Sequence, residues 1–187
     1  SVNKEDMWIS RIPVPVSLNA SVHADDDFSK SKEIAELTDW NIYSPLWAPV
    51  SLDGQWLKLQ DKDPFDYAKV ERKIPASKEL KVSFDLQAGQ NDKGTLQIEF
   101  LDENGIACSR MELTDDGVFR LKGGSRFANM MKYEAGKVYH VEAVLSTADR
   151  NIQVYVDGRR VGLRMFYAPV AAVERIVFRT GIPRTFQ

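Results

Sequence analysis

A recurring short pattern constrains this chain more than any other feature: apolar and polar residues alternate over a few positions, then a tight-turn signal interrupts them. Val82, Phe84 and Leu86 alternate with Lys81, Ser83 and Asp85, and Ile152, Val154 and Val156 alternate with Asn151, Gln153 and Tyr155. Side chains two positions apart share a face only in extended backbone, so each run has one face for a core and one for water. Residues 55–60, 67–74, 95–102, 106–114, 118–122, 138–146, 160–167 and 172–180 read the same way, and Asp53-Gly54, Asn104-Gly105, Asp116-Gly117, Gly123-Gly124 and Asp157-Gly158 separate the runs. About ten strands in roughly 145 residues, joined by hairpin turns with no long helical period between them, predict an all-β fold. An antiparallel two-sheet β-sandwich is favoured over a closed barrel because Pro64, Pro75 and Pro169 are expected at strand starts or at crossings between sheets.

Composition bounds what such a sandwich can do. With 187 residues and 43% hydrophobic content, the chain can bury a core without a metal or disulfide staple. The single cysteine, Cys108, excludes an internal disulfide and any multi-cysteine zinc spacing. The longest apolar run, residues 168–173, is too short for a membrane span, and a net charge of −2 argues against nucleic acid as the partner. That charge is unevenly spread. Residues 150–187 hold seven arginines, no lysine and only Asp157 and Glu174 as carboxylates, a region near +5 against about −7 for the rest. Arginine suits bidentate recognition of carboxylate or sulfate, although arginines on the outer face of strands give the same count.

The chain is expected to divide at residue 36. Residues 7–16 carry two prolines at alternate positions among apolar residues, which favours an extended edge segment, and residues 17–36 are polar, as in a linker. Residues 1–36 therefore read as an extended segment and linker, or the end of an upstream domain, and 37–187 as the sandwich. The chain opens at Ser1 with no apolar leader, which reads as a processed or excised end.

Two stretches carry a family resemblance. Gly136-Lys137-Val138-Tyr139-His140-Val141 followed by Val154-Tyr155-Val156-Asp157-Gly158 resembles the signature of laminin G-like and concanavalin A-like jelly rolls, with Val138 in place of the frequent tryptophan. Residues 3–14, from Asn3-Lys4-Glu5-Asp6-Met7-Trp8 to Pro13-Val14, resemble the exit from the last blade of bacterial sialidase-like, BNR-repeat propellers. Residues 40–49 and 63–68 resemble the start of the jelly roll that follows such a propeller. The resemblance implies a jelly roll of concanavalin A-like lectin or glucanase type. It implies a non-catalytic accessory domain of a secreted, periplasmic or cell-surface protein, binding polysaccharide or oligosaccharide or bracing a neighbouring catalytic domain. The alternative is a self-contained glycoside hydrolase or polysaccharide lyase with the same fold.

Candidate chemistry is thin. A retaining glycosidase needs two carboxylates about 5 Å apart on one face. Glu99 and Asp102 point to opposite faces of a regular strand, and Glu103 falls in a turn, so no catalytic residue is assigned. His23 sits in the linker and His140 on a strand without a nucleophile placed by any motif, while Cys108 reads as a small half-buried residue. Calcium is the ion the resemblance suggests, with Asp61 and Asp63 its best candidate ligands and the run Asp25-Asp26-Asp27 the weaker cluster. For sugar, aromatic faces stack on C–H surfaces while arginines hold a uronate or sulfate. Tyr155 or Tyr167 with Arg159 and Arg164 is the candidate platform, whereas Trp40 and Trp47 read as sealing one end of the sandwich or docking it onto a neighbour.

Overall fold

The computed structural model describes residues 24–62 and 65–181. Two 3₁₀ turns, Phe28–Lys30 and Ile34–Glu36, precede thirteen strands: β1 Trp40–Tyr43, β2 Val50–Asp53, β3 Trp56–Leu59, β4 Lys69–Ser77, β5 Glu79–Gln87, β6 Leu96–Leu101, β7 Ala107–Leu113, β8 Val118–Gly123, β9 Arg126–Lys132, β10 Val138–Ser146, β11 Asn151–Val156, β12 Arg159–Met165 and β13 Val173–Thr180. They form a seven-stranded sheet in the order β1-β4-β13-β6-β7-β8-β9, a four-stranded sheet β12-β11-β10-β5, and the small hairpin β2-β3. Every pairing is antiparallel, so the chain is an all-β antiparallel sandwich.

The alternation read from the sequence becomes the two inner faces. Tyr139, Val141, Ala143 and Leu145 on β10 and Ile152, Val154 and Val156 on β11 are all buried, and they meet Ile98, Phe100, Met111 and Leu121 of the larger sheet. Burying each large apolar side chain is worth about 1.5–3 kcal/mol, so these rows are the main source of stability. A second, smaller core forms where the β2-β3 hairpin folds over β1 and β4, enclosing Ala48, Val50, Ala68 and Val70. Between that hairpin and β5, the free edge of the four-stranded sheet, runs an open groove that residues 24–28 enter at one end. Asp26 accepts a 2.9 Å bond from Arg72, and Phe28 lies 5.6 Å from the Trp40 ring, which tie the end of the linker to the sandwich.

Asp157 and Gly158 fix the strongest hairpin. Both have positive φ, 50° and 77°, as a tight two-residue turn demands. Asp157 also clips this turn to β10: its amide donates to the His140 carbonyl at 2.9 Å and its carboxylate accepts from the His140 amide at 3.0 Å.

The structure departs from the sequence expectation in several places. Strands β1, β2 and β9 are additional: β1 and β2 have only four residues each, and in β9 a bulge opposite Phe119 and Arg120 breaks the alternation that would have marked it. Pro75 lies inside β4, not at a strand start. It is tolerated there because the pairing of β4 with β13 shifts register between Lys73 and Ser77. Pro64, like residues 1–23, lies outside the described residues.

Where β12 crosses β8 and β9, the sheets approach closely at Gly162. A Cβ there would meet the Met130 sulfur at 2.7 Å and a Leu121 methyl at 3.1 Å. Gly162→Val is expected to destabilise the domain by about 1–3 kcal/mol, read as a lowered urea midpoint. An unchanged midpoint would mean that Met130 swings clear at no cost.

Candidate functional site

The outward row of the seven-stranded sheet differs in kind from that of the four-stranded sheet. On β4 it carries Lys69, Glu71 and Lys73; on β13, Arg175 and Arg179; on β6, Gln97 and Glu99. It continues with Arg110 and Glu112 on β7, Arg120 and Lys122 on β8, and Phe127, Asn129 and Lys132 on β9. At these positions eight cations stand against three carboxylates. On the four-stranded sheet the outward row holds Lys81 and Arg160 against Glu79, Asp85 and Glu142. One face of a chain whose net charge is −2 is thus strongly cationic.

All three carboxylates of the cationic face are held by arginine. Glu71 lies 3.0 Å from Arg175 and 3.3 Å from Lys69, Glu99 takes a 2.7 Å bond from the Arg110 Nε, and Glu112, only 4% exposed, pairs with Arg120. Gln97, 2% exposed, donates to Glu112 at 3.3 Å. Four enclosed polar atoms of the same face, Gln97 Oε1 and the Nε atoms of Arg120, Arg175 and Arg179, have no hydrogen-bond partner. Unfilled capacity of that kind is uncommon in a finished interior.

Aromatic rings flank the row. At the β1 side the Arg179 guanidinium stacks 3.8 Å from the Tyr67 ring, and Tyr67 packs against Tyr43. At the β9 side Arg120 lies 4.3 Å from the Phe127 ring centre and Lys122 4.3 Å from that of Tyr167. Tyr167 reaches this face because the loop after β12 passes the end of β7, where its amide donates to the Cys108 carbonyl at 3.0 Å. Burial is the chief force pushing the Tyr167 phenol up to about 12, so it stays neutral under ordinary conditions.

The residues of the candidate sugar platform, Tyr155 or Tyr167 with Arg159 and Arg164, fall on different parts of this architecture. Tyr155 is on the outward row of β11, its hydroxyl bonded to Gln153 at 3.0 Å, and Arg159 sits at the exposed start of β12. Arg164 pairs with inward-facing Ile152, and its stem runs against Gly123 at the end of β8. Arg164 and Tyr167 therefore flank β8, while Tyr155 stands on the other sheet. The β8-β9 cluster of Arg120, Lys122 and Phe127 escaped sequence reasoning because Phe127 lies in the strand whose alternation is broken. The signal that could have found it is Arg120-Leu121-Lys122, two cations alternating with an apolar residue just before Gly123-Gly124.

The acidic candidates have structural partners. Asp102 caps its own turn by accepting from the Asn104 and Ile106 amides at 2.9 and 2.8 Å, and Glu103 gives its carbonyl to Arg175 at 2.7 Å. Asp61 lies beside Gly181, Asp66 accepts from the Tyr43 hydroxyl and the Tyr67 amide, and Asp63 lies outside the described residues. Among the described residues no group of three or more His, Cys, Asp or Glu side chains is placed to hold a metal ion. His140 keeps company with Asp85, Nδ1 to Oδ1 at 2.8 Å, on the outside of the four-stranded sheet; His23 is not among the described residues.

Residues 40–187 match the family model "Sialidase-like, CBM domain". The chain belongs to this carbohydrate-binding-module family. A solved structure described as a sialidase is 87% identical with a TM-score of 0.91; it covers all of this chain, and this chain spans 17% of that one. The Crh5 transglycosylase structure (10% identity, TM-score 0.66, 87% of this chain and 71% of that one) and the Emp47p carbohydrate recognition domain (10%, 0.56, 82% and 83%) share the sandwich fold. Comparison with curated proteins finds no match. For this sialidase-like module, among the described residues, no helix is long and apolar enough to cross a membrane.

Proposed function

We propose that this sialidase-like module is a non-catalytic accessory domain of a larger, secreted or surface-displayed carbohydrate-active protein, and that it binds glycan on the outward face of its seven-stranded sheet. The observation that carries the reading is the composition of that face: ranked guanidinium, carboxylate and amide groups, four of their polar atoms unpaired, between aromatic rings at both ends. Sugars present hydroxyls that both donate and accept, and C–H faces that stack on rings, so a face of this kind meets both needs. The carboxylates argue against hydrolysis, since each is neutralised by an arginine and none stands free as acid or nucleophile.

Affinity electrophoresis in gels containing soluble polysaccharide tests the face directly. Migration is expected to be retarded, Lys132→Glu is expected to reduce the retardation at least several-fold, and Arg160→Glu on the other sheet is expected to leave it unchanged. Sensitivity to Arg160→Glu alone would place binding on the wrong sheet, and no retardation in any gel would end the glycan reading.

A bracing role is favoured by a separate feature. Leu46, Trp47 and Phe65 are 82%, 62% and 75% exposed, in loops joined by the 3.0 Å bond from the Lys62 amide to the Trp47 carbonyl. Large apolar side chains gathered in this way suit contact with a neighbouring domain. In the longer protein, Trp47→Ser is expected to speed proteolysis at the domain junction; an unchanged cleavage rate would remove this role.

A further inference from the structure

The smaller sheet leaves a strip of the interior uncovered. Four strands face a sheet of seven, and the gap lies along β5, whose far side has no neighbouring strand among the described residues. The inner rows of β10 and β11 are buried, with no residue more than 6% exposed. On β5, by contrast, Leu80, Val82, Phe84 and Leu86 are only half-buried, as are Trp56, Leu57 and Leu59 across the groove. A strand nine residues long and paired on one side only leaves both apolar surface and a row of backbone N–H and C=O groups in need of cover. We propose that residues 8–16 of this same chain, which lie outside the described residues, fill the groove as a fifth strand of the smaller sheet, laid along β5.

Three features favour this occupant over a foreign one. The first is where the described chain begins. Ala24 and Asp25 line the groove, and Asp26 is bonded at 2.9 Å to Arg72, which stands on the inward row of β4 between Val70 and Ile74. The chain is therefore already on the inner side of the larger sheet at residue 26, with residues 1–23 still to be placed upstream. The second is length. Residues 17–23 reach up to about 25 Å when extended, and the run from Trp8 to Val16 matches the nine residues of β5, each spanning about 30 Å. The third is chemical. In an extended strand the N–H and C=O of one residue point to one side and those of the next residue to the other. Pro13 and Pro15 occupy alternate positions, so both missing donors fall on one side, and the N–H groups of Ile12, Val14 and Val16 fall on the opposite side. Such a strand pairs with β5 and with nothing further, which closes the edge. The same alternation puts Trp8, Ile12, Val14 and Val16 on one face, to meet the layer of Phe84 and Phe178, and Arg11, Pro13 and Pro15 on the other. The outward row of the seven-stranded sheet lies on the opposite side of that sheet from the groove, so the glycan reading does not depend on this strand.

Amide hydrogen exchange followed by NMR on the whole chain tests the placement. The alternate β5 amides that point away from β10, together with those of Ile12, Val14 and Val16, are expected to exchange about a hundredfold or more slowly than in an unfolded chain. Val14→Asp sets a carboxylate into the apolar strip and is expected to speed both sets at least tenfold while the β10 and β11 amides stay protected. Val14→Ala, which removes only two methyl groups, is expected to speed the same amides by a smaller factor, and Arg11→Asp, on the opposite face, to leave them unchanged. Rapid exchange of either set in the unsubstituted chain overturns the proposal without recourse to a variant. So does β5 protection that survives both Val14 substitutions, and so does protection that rises with protein concentration, which would assign the groove to a second copy of the chain.

Discussion

Phe100→Ala is expected to lower the stability of the domain by about 3–5 kcal/mol, the usual cost of removing a fully buried phenylalanine. Phe100 has no exposed surface, and it sits on the inner row of β6 in the middle of the main core, paired with Ser109 on β7. No flexible edge is near enough to collapse into the space it leaves, because β13 and β7 flank its strand on both sides. Against a typical total of about 5–15 kcal/mol, such a loss would place the variant close to unfolding at physiological temperature. Chemical denaturation followed by tryptophan fluorescence measures it. A loss below about 1 kcal/mol would show that the two large sheets do not share one core, and the sandwich description would fail with it.

Alkaline pH is expected to have a comparable effect. Cys108 is fully enclosed, and burial pushes its thiol from the ordinary 9.0 up to about 12; the Tyr167 phenol, chiefly for the same reason, moves from 10.0 to about 12. Both groups keep their protons in the folded chain over a range in which the unfolded chain releases them. The unfolded state then binds fewer protons, so stability is intact below about pH 9 and falls as pH rises from there to about 12, by a few kcal/mol. Urea midpoints measured between pH 7 and 11 should show this decline, and Cys108→Ala should flatten its first part. At pH 8 the native thiol should also resist alkylation until denaturant is added. A midpoint constant to pH 11, or a thiol that reacts as fast as free cysteine, would mean that the core opens at β7 far more readily than its packing implies.

The fold was legible in the residues to an unusual degree. Alternation in β5, β10 and β11 and the Asp157-Gly158 turn are local signals, and in the structure they are inner rows of buried side chains on β10 and β11, a half-buried inner row on β5, and a turn with two positive φ values. The signals failed where local chemistry is ambiguous. β9 contains Met130 and Met131 side by side across a bulge, so its sequence has no clean period of two. Pro75 reads as punctuation, but β4 accommodates it by a shift in register with β13.

The candidate site was much less legible, for a geometric reason. Tyr155, Arg159, Arg164 and Tyr167 are near one another in the chain, and nearness in sequence offers either tyrosine as the partner of the two arginines. A single strand offers alternate residues to opposite faces, and the loop after β12 leaves its sheet altogether, so Tyr167 ends up against Lys122 of β8 while Tyr155 stays behind on β11. The arginine excess near the C-terminus was correctly read as a charge asymmetry, but its lysine and arginine partners on β4, β7, β8 and β9 lie far away in sequence.

By itself, then, the sequence determined the strands, their turns and which side of each strand enters the core, because those depend on neighbours one or two residues apart. Only the tertiary structure decided which strands lie side by side, and so which of the many exposed cations are cancelled by a glutamate and which are held by an aromatic ring. Cross-strand pairing joins residues separated by tens of positions, and no local pattern encodes that adjacency.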